Sequence, residues 1–226
     1  MYVYGRNVFK EYKNIKKAYI QDNLKNSDLI KQINAPIKYL TKKELDKIVN
    51  ANHQGIIIEV DDYEYFKLDE LDNEVIVILD HLEDPHNLGA IIRTCEAAGF
   101  NNIIIPKDRS VSINSTVVKT SAGTINKVKI ALVTNLNTTI NKLKEKGYWI
   151  IGTDMKGTNY TQIDYNGKIA VVIGNEGSGI SRLVKENCDF IATIPMNGQV
   201  NSLNASVATG ILLFEILKQR RWFFEL

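Results

Sequence analysis

The amino-acid sequence predicts an α/β protein in two parts: a small α/β layer, then a mostly parallel sheet covered by helices. Strand-like and helix-like segments alternate before residue 66. From residue 75, continuous apolar runs typical of strands covered on both faces alternate with helical patterns. Residues 61–74 are acidic and polar, which is typical of a linker or an exposed turn region. We therefore expect domains at residues 1–70 and 75–226.

The elements of the first part are short. The patterns predict a helical turn over residues 6–12, strands over 17–21, 37–40 and 55–60, and short helices over 27–34 and 41–49. In the last of these helices, Thr41 and Glu44 have the spacing of a capping box, in which two side chains and two backbone amides bond reciprocally.

The elements of the second part are longer and more regular. Strands are predicted over residues 75–79, 102–106, 128–133, 148–152, 168–173 and 190–194, and helices over 88–99, 112–122, 135–147 and 203–220. Asn87 is predicted to cap the first of these helices. The positions with helical spacing that should face the core are Leu88, Ile91, Ile92 and Cys95.

Composition excludes several classes of protein. The 226 residues are 44% hydrophobic and 24% charged, which excludes wholesale disorder. No apolar run approaches the ~20 residues that span a bilayer, and the start lacks the apolar stretch of a secretory signal. Cys95 and Cys188 lack C-x-x-C spacing, and His81 and His86 lack H-E-x-x-H spacing. We expect a cytoplasmic protein without a disulfide, a metal or a membrane segment.

Charge is distributed unevenly along the chain. Residues 1–47 contain 11 Lys and Arg against 5 Asp and Glu, a net charge of +6. Residues 48–84 contain 1 against 11, a net charge of −10, and residues 85–226 contain 16 against 10, a net charge of +6. The total is +2. Basic regions attract polyanions such as nucleic acids, although many lysines only keep a surface soluble.

Ligands of parallel sheets bind at the carboxyl ends of the strands. This points to three segments, which we call the first loop (residues 80–89), the glycine loop (174–181) and the third loop (195–204). Arg93 lies one turn beyond the first loop, and periodicity alone favours a surface arginine paired with Glu96.

The glycine loop, Gly174-Asn-Glu-Gly-Ser-Gly-Ile-Ser181, directly follows a buried strand. Its three glycines in six positions allow close backbone approach to a ligand, and a plain turn without a ligand is the alternative. The spacing nearly matches the phosphate loop of nucleoside triphosphatases. Ile180 occupies the lysine position of that motif and Glu176 adds a negative charge, so triphosphate hydrolysis is rejected.

The third loop places small hydrogen-bonding groups, Asn201, Ser202 and Asn204, before the last helix. Alone, this indicates a capped helix start. The last helix is apolar nearly all round, so it must be buried in a core or against a partner subunit.

Taken together, the three segments resemble the signature motifs of a known family. N-L-G-A-I-I-R-T, I-G-N-E-G-S-G-I-S and I-P-M-N-G-Q-V-N-S-L-N-A-S-V-A are similar, in order and separation, to those of the SpoU (TrmH) RNA 2′-O-ribose methyltransferases of the SPOUT superfamily. This resemblance covers residues 75–226. Residues 1–70, beginning V-Y-G-R-N, resemble the L30e-like substrate-binding domain of family members that methylate a guanosine in 23S rRNA.

The resemblance implies that the C-terminal chain threads through a loop as a trefoil knot, with S-adenosylmethionine bound there. It also implies a homodimer that covers the apolar last helix. The residues that it places against the cofactor are Gly174, Ile194, Leu203 and Thr153. The residues that it places in the catalytic group are Arg93, Asn87, Glu176, Ser202 and Asn204.

By the same resemblance, Arg93 activates the ribose 2′-hydroxyl and is supplied by one chain to the cofactor of the other. Because the pKa of arginine exceeds ~12, we interpret this as stabilising the developing alkoxide while a phosphate or water takes the proton. Asn87 would hold the ribose or the first loop, and Glu176 would orient Arg93 or a substrate group. Lysines of residues 1–47 would contact RNA phosphates.

The leading hypothesis is methyl transfer from S-adenosylmethionine to the 2′-hydroxyl of a guanosine in 23S rRNA. Transfer to tRNA or to an rRNA adenosine by the same chemistry remains open. A non-catalytic RNA-binding or ribosome-assembly factor is the alternative from another class, but the intact set of catalytic residues favours the enzyme.

Overall fold

The computed structural model describes residues 1–220, and within them the chain forms two α/β layers. The first layer is a four-stranded sheet in the order β1-β4-β2-β3, in which only β2 and β3 are parallel. Its elements are β1 (Tyr2–Tyr4), β2 (Lys17–Gln21), β3 (Ile37–Leu40), α1 (Lys42–Ile48) and β4 (Ile56–Glu59). The predicted capping box of α1 is confirmed, because Thr41 and Glu44 exchange both of its hydrogen bonds.

The second layer is a six-stranded sheet in the order β10-β8-β9-β5-β6-β7, with every described pair parallel. The strands are β5 (Val75–Leu79), β6 (Asn102–Pro106), β7 (Lys129–Val133), β8 (Trp149–Asn159), β9 (Ile169–Ile173) and β10 (Phe190–Thr193). The helices are α2 (Pro85–Ala97), α3 (Ser115–Thr120), α4 (Leu136–Glu145), α5 (Arg182–Glu186) and α6 (Ala205–Gln219). The predicted parallel α/β architecture is therefore confirmed.

Helices cover both faces of this sheet, which explains its continuous apolar strands. Along β5, Val77 faces a core shared with α2 and α6, whereas Ile76 and Ile78 face a core shared with α4 and α5. Every residue of β5, β6 and β9 is buried. The predicted core positions of α2 are also confirmed: Leu88, Ile91, Ile92 and Cys95 are each 0% exposed.

The start of α2 differs from the prediction. The helix begins at Pro85, and Asp84 is its N-cap, accepting a 2.9 Å hydrogen bond from the His86 amide. The prediction that Asn87 caps the helix is wrong. Proline suits the first helical position because its fixed φ is already helical and it needs no amide partner there. Asn87 consequently lies inside the first turn, where its side chain is free to bond across the fold.

Other boundaries shift for local reasons. The helix predicted over 112–122 is limited to α3 after its Asn114 cap, and the helix predicted over 27–34 is reduced to a short 3₁₀ turn. The helical turn predicted over 6–12 is confirmed as a 3₁₀ turn over Phe9–Glu11. The strand predicted to end at 152 continues to Asn159, because β10 shifts register after Ile191 and pairs again with that extension. The sequence did not predict β1 or α5, which have only three and five residues.

The acidic linker is anchored to the second layer by its aromatic residues. The Tyr63 hydroxyl accepts from the Ile130 amide at 3.2 Å, and the Tyr65 hydroxyl accepts from the Ile113 amide at 2.9 Å. The Phe66 amide donates to the Ile130 carbonyl at 2.9 Å beside β7. The end of the first layer is thus attached directly to the second sheet.

Among residues 1–220, no helix has both the length and the apolarity needed to cross a membrane.

Candidate active site

A cavity of about 710 Å³ opens at the carboxyl ends of β9 and β10 and beside the middle of β8, where β8 stops pairing with β9. The strand ends, the glycine loop, the third loop and the start of α6 form its walls. Of the nine residues singled out from the sequence, the six that line this cavity are Thr153, Gly174, Glu176, Ile194, Ser202 and Leu203. The structure therefore brings segments together that are up to 50 positions apart in the chain, as expected at the carboxyl edge of a parallel sheet.

The glycine loop is folded back on itself. The Asn175 and Gly179 backbones exchange hydrogen bonds of 3.1 and 2.9 Å, which closes the loop into a tight turn. A Cβ on Gly174 would lie 2.2 Å from the carbonyl carbon of Gly179, so glycine is required there by the close approach of the two backbones. Ile180, at the position that a phosphate loop gives to lysine, is buried against the core.

Asn87 joins all three loops through its side-chain amide. Its Nδ2 donates to Oε1 of Glu176 in the glycine loop, and its Oδ1 accepts from Nδ2 of Asn204 at 2.9 Å. Asn87 itself is only 8% exposed. Three residues that the sequence assigned to one catalytic group thus form one continuous hydrogen-bonded chain.

Asn204 also caps α6, as the sequence predicted. Its Oδ1 accepts from the Ser206 and Val207 amides at 3.0 and 3.4 Å and from the Ser206 hydroxyl at 2.6 Å. Asn204 thus uses its Oδ1 for capping and its Nδ2 for the bond to Asn87. The start of α6 is therefore fixed relative to α2, and Ser202 and Leu203 enter the cavity wall just before it.

Arg93 lies apart from this chain of hydrogen bonds. It is six positions beyond Asn87 on α2, which places the two side chains about 120° apart around the helix. Arg93 is exposed, is not in the cavity wall, and makes no hydrogen bond or ion pair with any residue of 1–220. The expected pairing with Glu96 is wrong, because the carboxylate of Glu96 lies 3.8 Å from Lys127 instead. Glu176 bonds to Asn87 and does not orient Arg93 of its own chain.

The last helix is buried on one side only. Leu212, Leu213 and Ile216 are 0% exposed, whereas Val207 and Phe214 are 49% and 44% exposed. The expectation of all-round burial is therefore not met within one chain. The α6 residue Gly210 packs near Thr94 of α2, so the exposed side of α6 adjoins the helix that carries Arg93.

Two carboxylates give the cavity its charge. Glu176 lies on one wall and Asp154 lies on another. Burial opposes ionisation of Asp154, but the hydrogen bond from Lys185 at 2.7 Å, the bond from the Lys156 amide and the charge of Lys185 together outweigh it, so the pKa of Asp154 lies below its usual value. Nearby, the Thr153 hydroxyl donates to the Val172 carbonyl at 3.0 Å and holds β8 to β9 just beyond their last paired residues.

Sequence reasoning missed Asp80 and Asp154. Asp80 follows β5 directly and is 1% exposed, and its Oδ2 accepts from the Ser181 amide at 2.6 Å. Both residues stand at the carboxyl ends of predicted parallel strands, and that position was the available signal. Among residues 1–220, no group of three or more His, Cys, Asp or Glu side chains could hold a metal ion.

The fold and this cavity define an α/β protein that binds a small ligand beyond its parallel strands, with polar residues converging from three loops. Residues 74–214 match the SpoU rRNA Methylase family, and residues 2–66 match the RNA 2′-O ribose methyltransferase substrate-binding family. The chain belongs to the SpoU/TrmH family of S-adenosylmethionine-dependent RNA methyltransferases.

Individual relatives agree with this assignment. A Bacillus subtilis protein named as a TrmH family tRNA/rRNA methyltransferase, YacO, is 42% identical over 238 residues, covering 97% of this chain and 96% of its own. The crystal structure of an AdoMet-bound rRNA methyltransferase from Sinorhizobium meliloti has a TM-score of 0.80 and 27% identity, covering 96% of this chain and 86% of its own. The A. aeolicus TrmH/SpoU tRNA modifying enzyme has a TM-score of 0.60 and 33% identity, covering 68% of this chain and 78% of its own.

The residues of the cavity fit the family's cofactor. The volume of the cavity lies within the range of ~300–1,000 Å³ that small-ligand sites occupy. Apolar side chains such as Ile194 and Leu203 can pack against an adenosyl group, and the backbone of the glycine loop can approach it closely. The carboxylates of Asp154 and Glu176 suit a ligand that carries a sulfonium and an ammonium group.

Proposed function

We propose that this protein transfers a methyl group from S-adenosylmethionine to the 2′-hydroxyl of a guanosine ribose in 23S rRNA, in the bacterial cytoplasm. The observation that carries the proposal is the hydrogen-bonded chain Glu176–Asn87–Asn204, which joins the three motif segments beside the cavity. These three residues are among those that the family resemblance assigns to catalysis, which favours an enzyme over a non-catalytic RNA-binding factor. The same chemistry on tRNA or on an rRNA adenosine is the second candidate.

The cofactor would be held mainly by backbone groups of Gly174, Ile194 and Leu203, with Thr153 of β8 beside them. All four line the same cavity. When bound, S-adenosylmethionine supplies a methyl group already activated by the adjacent sulfonium charge. The chain's own residues then have to orient the ribose, exclude water and stabilise charge on the attacking oxygen.

A ribose 2′-hydroxyl is a poor nucleophile, so its activation is the central chemical problem. We assign this to Arg93, whose guanidinium would stabilise the developing alkoxide while a phosphate or water takes the proton. Asn87, fixed by Glu176 and Asn204, would orient the ribose, and Ser202 would donate or accept at the cavity edge.

Arg93 is the reason for proposing a homodimer. It is exposed, it stays outside the cavity of its own chain, and it is free of any partner within residues 1–220. A second copy packed against α2 and the exposed side of α6 would cover Val207 and Phe214 and carry Arg93 to the neighbouring cavity. The trefoil knot is part of the same proposal. After β10, at the edge of the sheet, the third loop lies across the cavity from the glycine loop, and α6 then packs against α2.

Ribosomal RNA is favoured over tRNA by the first layer. The rRNA methyltransferase of Sinorhizobium meliloti aligns with 96% of this chain, whereas the tRNA modifying enzyme of A. aeolicus aligns with 68%. Residues 2–66 match a substrate-binding family. The net charge of +6 over residues 1–47 suits phosphate contacts.

The role of Arg93 is tested by Arg93→Ala. The matched control is Arg182→Ala, which removes an arginine of α5 that pairs with Glu186. We expect Arg93→Ala to lose methyl transfer by on the order of 1,000-fold while calorimetry still detects S-adenosylmethionine binding. Retained turnover in Arg93→Ala would refute the assignment.

The origin of the arginine is tested by mixing Arg93→Ala with Gly174→Ala, at a cofactor concentration too low to fill the cavity of the Gly174→Ala chain. If Arg93 acts on the partner's cavity, half of the randomly mixed dimers contain one intact site, so activity returns to about a quarter of wild type. If Arg93 acts on its own cavity, the mixture stays inactive.

The substrate is tested by offering unmodified 23S rRNA, 16S rRNA and tRNA and then mapping the methylated ribose.

A further inference from the structure

Asp80 is a buried carboxylate with two partners in different loops. It directly follows β5 at the centre of the second sheet and is 1% exposed. Its Oδ2 accepts from the Ser181 amide at 2.6 Å, and its Oδ1 lies 2.5 Å from Nδ1 of His81. A carboxylate so deeply buried is costly unless it is hydrogen-bonded, so both contacts are needed to hold it there. Ser181 is the last residue of the glycine loop.

His81 holds the other end of the same loop. Its carbonyl accepts from Nδ2 of Asn175 at 2.9 Å, and Asn175 is the second residue of the loop. His81 has a φ of +56°, the left-handed region that few residues other than glycine adopt. Such backbone strain persists only when surrounding contacts hold it, and the bond between its ring and Asp80 supplies one. A carboxylate that carries no proton can only accept, so in that state Nδ1 of His81 is the donor.

We propose that Asp80 and His81 form a clamp that holds both ends of the glycine loop, and that Asp80 is thereby a positioning residue for cofactor binding. This inference rests on the proposed function, because it takes the cavity as the S-adenosylmethionine site. Asp80 itself lies outside the cavity wall and acts through Ser181 and Asn175.

The segment between the two clamped ends is the part of the loop that faces the cavity. Asn175, Glu176, Gly177, Ser178 and Gly179 all line it. With the clamp in place, this segment is ordered before the ligand arrives, and Glu176 is presented to Asn87. Without it, binding would have to order the loop at that moment, and the ordering cost would appear as weaker affinity.

The chemistry of the clamp suggests a rescue variant. In Asp80→Asn, the amide oxygen can still accept from the Ser181 amide, and the amide nitrogen can donate to His81 if the imidazole takes its other tautomer. Asp80→Ala removes both contacts. A role in positioning therefore predicts that asparagine restores affinity and alanine does not.

Asp189 provides a matched control at the opposite ends of the strands. Its Oδ2 accepts from the Ile150 amide at 2.8 Å, and its Oδ1 accepts from Lys144 at 2.7 Å. Asp189→Ala thus deletes a carboxylate with the same kind of backbone contact, more exposed than Asp80 and outside the cavity wall. A general loss of stability would affect both alanine variants, whereas a loss of positioning would affect only Asp80→Ala.

The experiment is calorimetric titration of each full-length variant with S-adenosylmethionine, alongside its thermal unfolding. We expect Asp80→Ala to weaken Kd on the order of 10-fold or more, Asp80→Asn to stay within about 3-fold of wild type, and Asp189→Ala to bind as wild type with a lower Tm. Wild-type affinity in Asp80→Ala, or equal weakening in Asp189→Ala, would overturn the clamp and leave the proposed function intact.

A second variant covers the case in which Asp80→Ala fails to fold. Asn175→Asp keeps the oxygen that accepts from the Gly177 amide but removes the donor to His81. The clamp predicts weaker binding even though the new negative charge would favour a cationic ligand, and unchanged or tighter binding would overturn it. If the wild-type protein binds no S-adenosylmethionine, the proposed function fails and the clamp fails with it.

Discussion

Asn204 donates from Nδ2 to Oδ1 of Asn87 at 2.9 Å, across 117 positions of sequence. The bond connects the residue that starts α6 to a residue in the first turn of α2. Each of these residues also makes a second contact, since Asn204 caps its own helix and Asn87 donates to Glu176. The orientation of the Asn87 side chain is therefore tied to the packing of two core helices.

Substitution of Asn204 separates its capping bond from its bond to Asn87. Asn204→Asp keeps the oxygen that accepts from the Ser206 amide, so α6 stays capped, but it removes the donor to Asn87. We expect unfolding free energy close to wild type and methyl transfer reduced on the order of 10-fold or more, because the Asn87 side chain is no longer held. Urea unfolding and tritium transfer from labelled cofactor measure the two effects.

Asn204→Ala serves as the companion variant. It loses the cap as well, so unfolding free energy should fall by about 1 kcal/mol in addition to the loss of activity. Full activity in Asn204→Asp would show that the bond to Asn87 is not needed for the reaction.

The glycine loop makes a steric prediction at Gly174. A Cβ there would lie 2.2 Å from the carbonyl carbon of Gly179 and 2.4 Å from the Ile180 nitrogen, and backbone atoms cannot swing aside as a side-chain tip can. Gly174→Ala should therefore open the loop and weaken S-adenosylmethionine affinity by about 10-fold or more, measured by calorimetry.

Gly198 is the control for this steric argument. It lines the same cavity, but a Cβ there would meet no atom of the described chain within 4 Å. Gly198→Ala should bind the cofactor like wild type. Equal affinity in the two variants would mean that the tight turn at Gly174 is not required for binding.

The sequence predicted the architecture well because its signals are local. Apolar runs identify strands that are covered on both faces, and the capping box at Thr41 involves residues three positions apart. The start of α2 was misplaced because both Asp84 and Asn87 are good caps, and only the structure shows that Pro85 occupies the first helical position. The capping role of Asp84 was therefore assigned to Asn87.

The partners of the site residues could not be predicted in the same way. Glu176 and Glu96 were both plausible carboxylates for Arg93, yet one bonds to Asn87 and the other pairs with Lys127. These choices depend on side-chain directions around α2 and on loops that meet only in the folded chain. The roles of the nine residues and the domain division at residues 70–75 remain predictions, and the variants at Arg93, Gly174 and Asn204 test three of those roles.

Cys188 offers a chemical test of burial near α5. Burial raises the pKa of its thiol to about 11, and its Sγ lies 3.2 Å from the Val184 carbonyl. A raised pKa leaves little thiolate at pH 8, so alkylation by iodoacetamide should be on the order of 100-fold slower than for a free cysteine. The rate should climb as the pH rises toward 11.

Mass spectrometry after timed alkylation of Cys95→Ala identifies the reaction at Cys188 alone. The same variant in urea, where the burial is gone, is the control and should react at the rate of a free thiol. Rapid alkylation of the folded protein at pH 8 would contradict this account of the thiol's surroundings.

The lysines of α1 test whether the first layer holds RNA by its phosphates. Lys42, Lys43 and Lys47 are exposed, and none of them pairs with a carboxylate within residues 1–220. Replacing all three by alanine should weaken rRNA binding and lower the slope of log K against log salt by about 0.7 to 0.9 for each phosphate contact removed.

The matched control replaces Lys142, Lys144 and Lys146 at α4, two of which already pair with Asp189 and Asp69. Filter binding over a salt series compares the two triple variants, which change the net charge equally. If both lose the same affinity and slope, the effect is general electrostatics and the first layer has no special part in holding the RNA.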